Sequence, residues 1–216
     1  MAELADAQGL GPCSRQIGSR GSTPLCGTLN HSHQIMNHHN NYYQRQIFIL
    51  EVDKNNNPIK KIERWQAHKK GVLHRGFTTI LKYKNSFILQ IRKHPVFDGY
   101  FDLSFSSHPI FINEKIQSFE ESIIEAFNRE WSSEEKNIEI KFLANYYYKE
   151  KDKKSGYIEH EINYLYLINL KKKVKNNPLY SYGMQVLTKD ELINQFENIN
   201  FAPWVKKINI KTIKSL

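Results

Sequence analysis

A chain of 216 residues is long enough for one domain with a buried core, and too short for two ordinary domains once flexible ends are removed. Its 40% hydrophobic and 12% aromatic residues sit in the globular range, and no uncharged apolar run approaches the ~20 residues needed to span a bilayer, which excludes a helical membrane protein. The net charge of +9 resides largely in lysine runs such as 149–154 and 171–175, beside Asn, Gly or Ser; without a basic helix or an aromatic ribonucleoprotein motif these read as solvated loops, which disfavours a nucleic-acid partner and favours a small anionic substrate.

Residues 1–41 are rich in Gly, Ser, Gln, Asn and His and show no repeating apolar face, so they are expected to be a disordered leader, with Met36 as a possible alternative start. The His31, His33, His38 and His39 cluster falls there and reads as a solvated tract rather than a metal site. The only cysteines, Cys13 and Cys26, also lie in this stretch, which leaves the folded part without a disulfide framework or a cysteine nucleophile. The start lacks the basic-then-apolar pattern of a secretory signal, so the reducing cytoplasm is the expected location.

Order is expected over 42–216. The apolar, β-branched run at 47–52 stops at a turn-like stretch, 53–58. Residues 77–83 and 87–91 flank Lys84 and Asn85 in a hairpin pattern. A helix is expected from Phe119 to about Glu134: Ser118 and Glu121 form a capping-box signature, and Phe119, Ile123, Phe127 and Trp131 recur every fourth residue. Glu130 and Glu134 fall along this same stripe; either both carboxylates are buried, or the helix stops at Ser132 and Ser133 and Glu134 meets solvent. Residues 138–148 and 158–170 read as strands around a Lys/Asp/Gly turn, and 189–196 as a short amphipathic helix. Strands, a helix and more strands, without regular βαβ alternation, predict an α+β class with a mixed or antiparallel sheet in a single domain.

His68 and His74 enter the second strand pair, and His108 precedes the long helix. Imidazoles completed by carboxylates suit a divalent transition metal that acts on an oxygen-rich substrate, although each histidine taken singly fits a structural role better. Glu159 and Glu161 flank His160 and share one strand face, which is either a solvent side or a ligand pair.

The order of these elements resembles that of type I isopentenyl-diphosphate isomerases, a branch of the Nudix fold, over roughly residues 49–208. The carrying segments are Glu-Arg-Trp-Gln-Ala-His ending at His68, Gly-Val-Leu-His-Arg-Gly-Phe around His74, Ile-Leu-Gln-Ile-Arg-Lys ending at Lys93, Phe-Ser-Ser-His-Pro around His108, Glu-His-Glu from Glu159, and Phe-Ala-Pro-Trp ending at Trp204. The resemblance implies a Nudix-type sheet flanked by helices and the interconversion of isopentenyl and dimethylallyl diphosphate. It implies that His68, His74, His108, Glu159 and Glu161 bind one divalent metal, Mn²⁺ or Zn²⁺, with Glu161 also an acid/base group. It further implies that Glu134 helps hold Mg²⁺ against the diphosphate, that Arg64 and Lys93 contact phosphate oxygens, and that Tyr148 and Trp204 line the isoprenoid pocket.

The chain departs from the family pattern in three ways. Ser106 stands where the family has cysteine, and a hydroxyl is a poorer proton shuttle than a thiol near neutral pH, so Ser106 or Tyr148 is left to relay a proton. Glu130 stands where a basic residue is expected near the diphosphate. The loop between Lys93 and Ser106 is shorter and lacks a phosphate-binding lysine. Two other readings remain: a Nudix diphosphate hydrolase, because Glu121, Arg129, Glu130 and Glu134 fit part of the hydrolase helix signature, and a catalytically inactive domain that binds a phosphorylated ligand.

Overall fold

The apolar run at 47–52 supplies the first strand, β1 (Phe48–Val52), which pairs antiparallel with β2 (Pro58–Glu63). The turn between them closes on Asp53, whose carboxylate accepts from the backbone N–H of Asn55 and of Asn57, each at 2.8 Å. Asn56 takes a left-handed φ of 65°, which asparagine tolerates better than most residues. This computed structural model describes residues 42–134 and 136–216, so the expected leader and its histidine cluster lie outside the described residues.

A helix the sequence did not announce follows directly: α1 (Arg64–Lys70), capped by Glu63, which accepts from Gln66 N–H at 2.7 Å, and closed by Gly71 at φ 65°. Seven residues are too few for a periodic signal, and His68 therefore reaches the site from a helix rather than from a strand approach.

The centre of the fold is the expected hairpin, β3 (His74–Tyr83) and β4 (Ser86–Arg92), with Lys84 at φ 56° in its two-residue turn. The short strands β5 (Phe101–Asp102) and β6 (Phe105–Ser107) pair with β4 and β3 respectively, while β7 (Phe111–Ile112) and β8 (Lys115–Ile116) form a separate two-stranded ladder.

The expected helix, α2 (Phe119–Glu130), has the complete Ser118/Glu121 capping box but ends four residues early. Trp131 caps it, and Ser132 turns to φ 45°, so the chain leaves the helix axis and Glu134 is exposed. Serine, which competes for backbone hydrogen bonds, is a poor residue with which to extend a helix.

Beyond it, β9 (Ile140–Lys151) pairs antiparallel with β10 (Ile158–Leu170), and β10 lies parallel to β3 from Glu161↔His74 to Leu170↔Tyr83. The last strand, β11 (Ser181–Thr188), runs antiparallel to β4. The sheet is therefore mixed, with β2, β9 and β11 each paired on one side only among the described residues.

Both faces of the sheet are covered. Ile123, Ala126, Phe127 and Trp131 pack against Phe77, Leu81, Ile88, Phe105 and Ile168 on one side. On the other, Ile80, Phe87, Leu89, Leu165 and Leu167 meet α3 (Lys189–Gln195), α4 (Pro203–Lys206) and α5 (Ile210–Lys214) through Leu192, Trp204, Val205 and Ile213. This is the α+β architecture expected, a mixed sheet flanked by helices, with the described residues in one compact unit. Among the described residues no helix is long and apolar enough to cross a membrane.

The α2 cap offers a direct check on this local analysis. Ser118→Ala removes the side-chain acceptor for Glu121 N–H and is expected to lower unfolding free energy by about 1 kcal/mol, read as a lower urea midpoint at unchanged slope.

Candidate functional site

The site is assembled where β10 starts beside β3. Because Glu161 and His74 are register partners in a parallel pair, the carboxylate and the imidazole are delivered to one place by backbone pairing alone. His68 arrives from α1, His108 from the loop after β6, and Glu159 from two residues earlier on β10. The ligand atoms of these five residues lie within 4.8 Å of one another, and all five are buried or nearly so. His68 Nε2 stands 3.3 Å from Glu159 Oε2, and Glu161 Oε1 stands 3.5 Å from His74 Nε2 and 2.8 Å from His108 Nε2.

Two backbone carbonyls orient the rings. His68 Nδ1 lies 2.7 Å from Arg64 O, and His74 Nδ1 lies 2.7 Å from Val72 O. A carbonyl only accepts, so each Nδ1 carries the proton and the neutral ring turns its Nε2 lone pair toward the common point. His68 Nε2 is buried without a hydrogen-bond partner. A converging set of imidazole lone pairs and carboxylates with one orphaned nitrogen matches the donor chemistry of Mn²⁺ or Zn²⁺.

Burial opposes charge throughout the cluster, and the neighbours decide each outcome. Burial disfavours ionised Glu161, but the His108 and His74 imidazoles beside it outweigh burial and hold the carboxyl well below its usual range. Burial likewise disfavours the His68 imidazolium, yet the Glu159 carboxylate raises its pKa. At His108 burial wins, despite Glu161, and its pKa falls to about 4.

The second oxygen of Glu161 accepts from Tyr148 O–H at 2.8 Å and from Asn163 Nδ2 at 2.9 Å. Space for this carboxylate exists because residue 76 is glycine: a Cβ there would overlap Glu161 Cδ and both its oxygens. Burial, and then the Glu161 charge, push the Tyr148 phenol well above its ordinary pKa, so it stays a donor. Ser106 lines the same cavity. Its Oγ accepts from Trp204 Nε1–H at 3.0 Å and lies 2.9 Å from Thr78 Oγ1.

The rest of the wall is basic. Arg64, Arg92 and Arg129 all line the cavity, and each has a buried Nε–H without a hydrogen-bond partner. Arg92 pairs with Asp102 at 2.9 Å and Arg129 with Glu130 at 2.9 Å, whereas Arg64 has the carbonyl of Tyr42 at 3.2 Å and the ring of Trp65 at 4.3 Å. The unfilled space they enclose is about 30 Å³.

Two residues expected near the phosphates fall elsewhere. Lys93 is exposed and donates to Pro178 O at 3.1 Å, while its neighbour Arg92, the last residue of β4, turns inward. Glu134 lines a separate surface hollow with Arg45 and Glu125, and the α2 carboxylate that reaches the cavity is Glu130, held by Arg129 and by Gln90 at 3.3 Å. Burial raises the pKa of Glu130. The spacing Ile123, Phe127, Glu130 already placed this carboxylate on the inner stripe of the helix. Arg129 stands out in the sequence only through the hydrolase helix signature, and Arg92 and His94, which also lines the cavity, carry no comparable signal.

An α+β domain that gathers three imidazoles and two carboxylates beside three arginines defines a candidate metal site for an anionic ligand. No family model matches the chain. It is, however, 33% identical over 169 residues to isopentenyl-diphosphate Delta-isomerase 1 of Photorhabdus laumondii, covering 74% of this chain and 90% of that protein. It is also 27% identical over 182 residues to the human isopentenyl-diphosphate delta-isomerase 2, covering 74% and 79%. The chain belongs to the isopentenyl-diphosphate delta-isomerase family. Its fold matches the crystal structure of DR0079 from Deinococcus radiodurans with a TM-score of 0.54 at 13% identity, over 74% of this chain and 95% of that one.

Adding Mn²⁺ or Zn²⁺ to chelator-treated protein is expected to raise Tm by about 5–10 °C at a hundredfold excess over Kd. His68→Ala should remove most of that increment. So should Gly76→Ala, which changes no ligand but displaces the Glu161 carboxylate; an undiminished thermal shift in both variants would place the ion elsewhere.

Proposed function

We propose that the domain interconverts isopentenyl diphosphate and dimethylallyl diphosphate at this cavity. The observation that carries this reading is the double engagement of Glu161: one oxygen in the imidazole cluster, the other accepting from Tyr148, inside a cavity that three arginines and two indoles also line. Moving an unactivated double bond requires a proton delivered to the terminal carbon, a tertiary cation held away from water, and a proton removed from the neighbouring carbon. Glu161 is the acid/base group, and Tyr148, whose O–H points at it, is the proton reserve beside it. The ring of Trp204, parallel within 37° to that of Tyr148 at 6.0 Å, offers a π face to the cation.

Arg64, Arg92 and Arg129 take the diphosphate, since guanidinium forks match phosphate oxygens and their Nε–H groups lack partners. Arg92 thus takes the part expected of Lys93, and Glu130 the part expected of Glu134 in holding Mg²⁺ against the diphosphate. A divalent ion at His68, His74, His108, Glu159 and Glu161 supplies fixed positive charge that anchors Glu161. Ser106 stands at the family's cysteine position.

The hydrolase alternative finds less support. Glu121 is engaged by its own helix cap and Glu134 faces outward, so among the described residues α2 presents a single carboxylate to the cavity, too few to hold the ions that activate water.

Protein incubated with substrate, Mg²⁺ and Mn²⁺ in D₂O is expected to incorporate deuterium into both isomers. Glu161→Gln should lower that rate about 10²- to 10⁴-fold, and Arg64→Ala should raise KM. Absence of incorporation by wild-type protein at high concentration, with metal bound, rejects the reading.

A further inference from the structure

Ser106 is tethered from two sides. β6 pairs with β3 so that Ser106 and Thr78 are register partners, with their hydroxyl oxygens 2.9 Å apart. Trp204 Nε1–H reaches the same Ser106 oxygen at 3.0 Å. Thr78 is fully buried and Trp204 is 2% exposed, so water does not compete for either contact.

Counting protons gives the direction of the third bond. An indole N–H only donates, so it fills one of the two lone pairs on Ser106 Oγ. The buried phenol of Tyr146 also interacts with Thr78, and it has no other hydrogen-bond partner among the described residues. If Ser106 gave its own proton to Thr78, Thr78 would have to pass its proton to that phenol, whose own proton would then lack an acceptor; a phenol that donates to Thr78 instead leaves the Thr78 proton for Ser106. A buried donor without an acceptor costs more than an unfilled lone pair on an oxygen that already donates. Thr78 therefore donates, both Ser106 lone pairs are filled, and the Ser106 O–H turns into the cavity that Glu161 also lines.

We propose that Thr78, together with the Trp204 indole, is a positioning residue that fixes Ser106 as a hydrogen-bond donor facing the substrate. This rests on the isomerase reading for its catalytic meaning. A thiol at this position can ionise on its own; a serine has only the direction of its O–H to offer, and Thr78 sets that direction. Proton transfer at the cavity then belongs to Glu161, and Ser106 keeps its proton and offers a hydrogen-bond donor to the substrate from a fixed angle.

The test is a double-mutant cycle in the deuterium-exchange assay. Thr78→Val keeps the side-chain shape and removes the donor; kcat should fall about tenfold, the scale of one lost hydrogen bond, with KM unchanged. Thr78→Ser should restore the rate, and Thr78→Val should have no further effect in a Ser106→Ala background. A Thr78→Val enzyme at wild-type kcat, or additive losses in the double variant, overturns the proposal. A second readout needs no turnover: the chain has three tryptophans, so the Trp204 indole N–H resonance can be assigned by substitution in ¹⁵N-labelled protein. It should move in Thr78→Val and return in Thr78→Ser. If wild-type protein exchanges no deuterium, the isomerase reading falls, and this resonance alone decides: displaced and rescued, the tether holds; unmoved, it does not.

Discussion

The parallel ladder between β3 and β10 is the constraint on which the rest depends. It sets Glu161 beside His74 and Asn163 beside Gly76, and the missing side chain at Gly76 leaves the volume that the Glu161 carboxylate fills. A one-residue slip would turn Glu159, Glu161 and Asn163 to the opposite face and bring His160 in. The apolar partners further along β10, Leu165, Leu167 and Ile168, resist such a slip, since each buried side chain contributes roughly 1.5–3 kcal/mol that depends on its facing the right layer. Core packing at one end of the strand thus holds the metal cluster in register at the other.

Two opposite fields meet in this cavity. The Glu159 and Glu161 carboxylates draw positive charge toward the imidazoles, while Arg64, Arg92 and Arg129 form a cationic wall, with Asp102 and Glu130 as its carboxylate partners. Asp102 and Glu130 partner two of the three guanidiniums and leave Arg64 without one, which burial makes costly in the absence of an anion. Burial indeed draws the pKa of Arg64, the one guanidinium without a carboxylate partner, downward. The Tyr42 and Trp65 rings on its faces, at 4.9 and 4.3 Å, supply part of the compensation.

Much of the scaffold was legible because its signals are local. The Lys84–Asn85 hairpin, the Ser118 capping box and the α+β order all follow from spacing and turn chemistry. What escaped depends on contacts distant in sequence. On β10 the alternation reads as a polar solvent face opposite an apolar one, yet Glu159, Glu161 and Asn163 are the buried side and His160 the half-exposed one, because the polar face carries the site. Helix α1 was too short to leave a period. Arg92 and Glu130 line the cavity while Lys93 and Glu134, one and four residues away, lie outside it, and only the end of β4 and the early stop of α2 show which side chain turns inward. The Thr78–Ser106 pairing joins strands 28 positions apart and leaves no mark in either segment.

The outermost strand, β9, is bonded along one edge only among the described residues, and it exposes Phe142 and Tyr147. An open ladder with aromatic side chains is a template for another chain to add itself. Here Lys141, Lys149 and Lys151 are spaced along that strand and exposed. A strand of like sequence laid against it meets ammonium groups at both ends, and this repulsion, strongest at low ionic strength, guards the fold against polymerising through its own sheet.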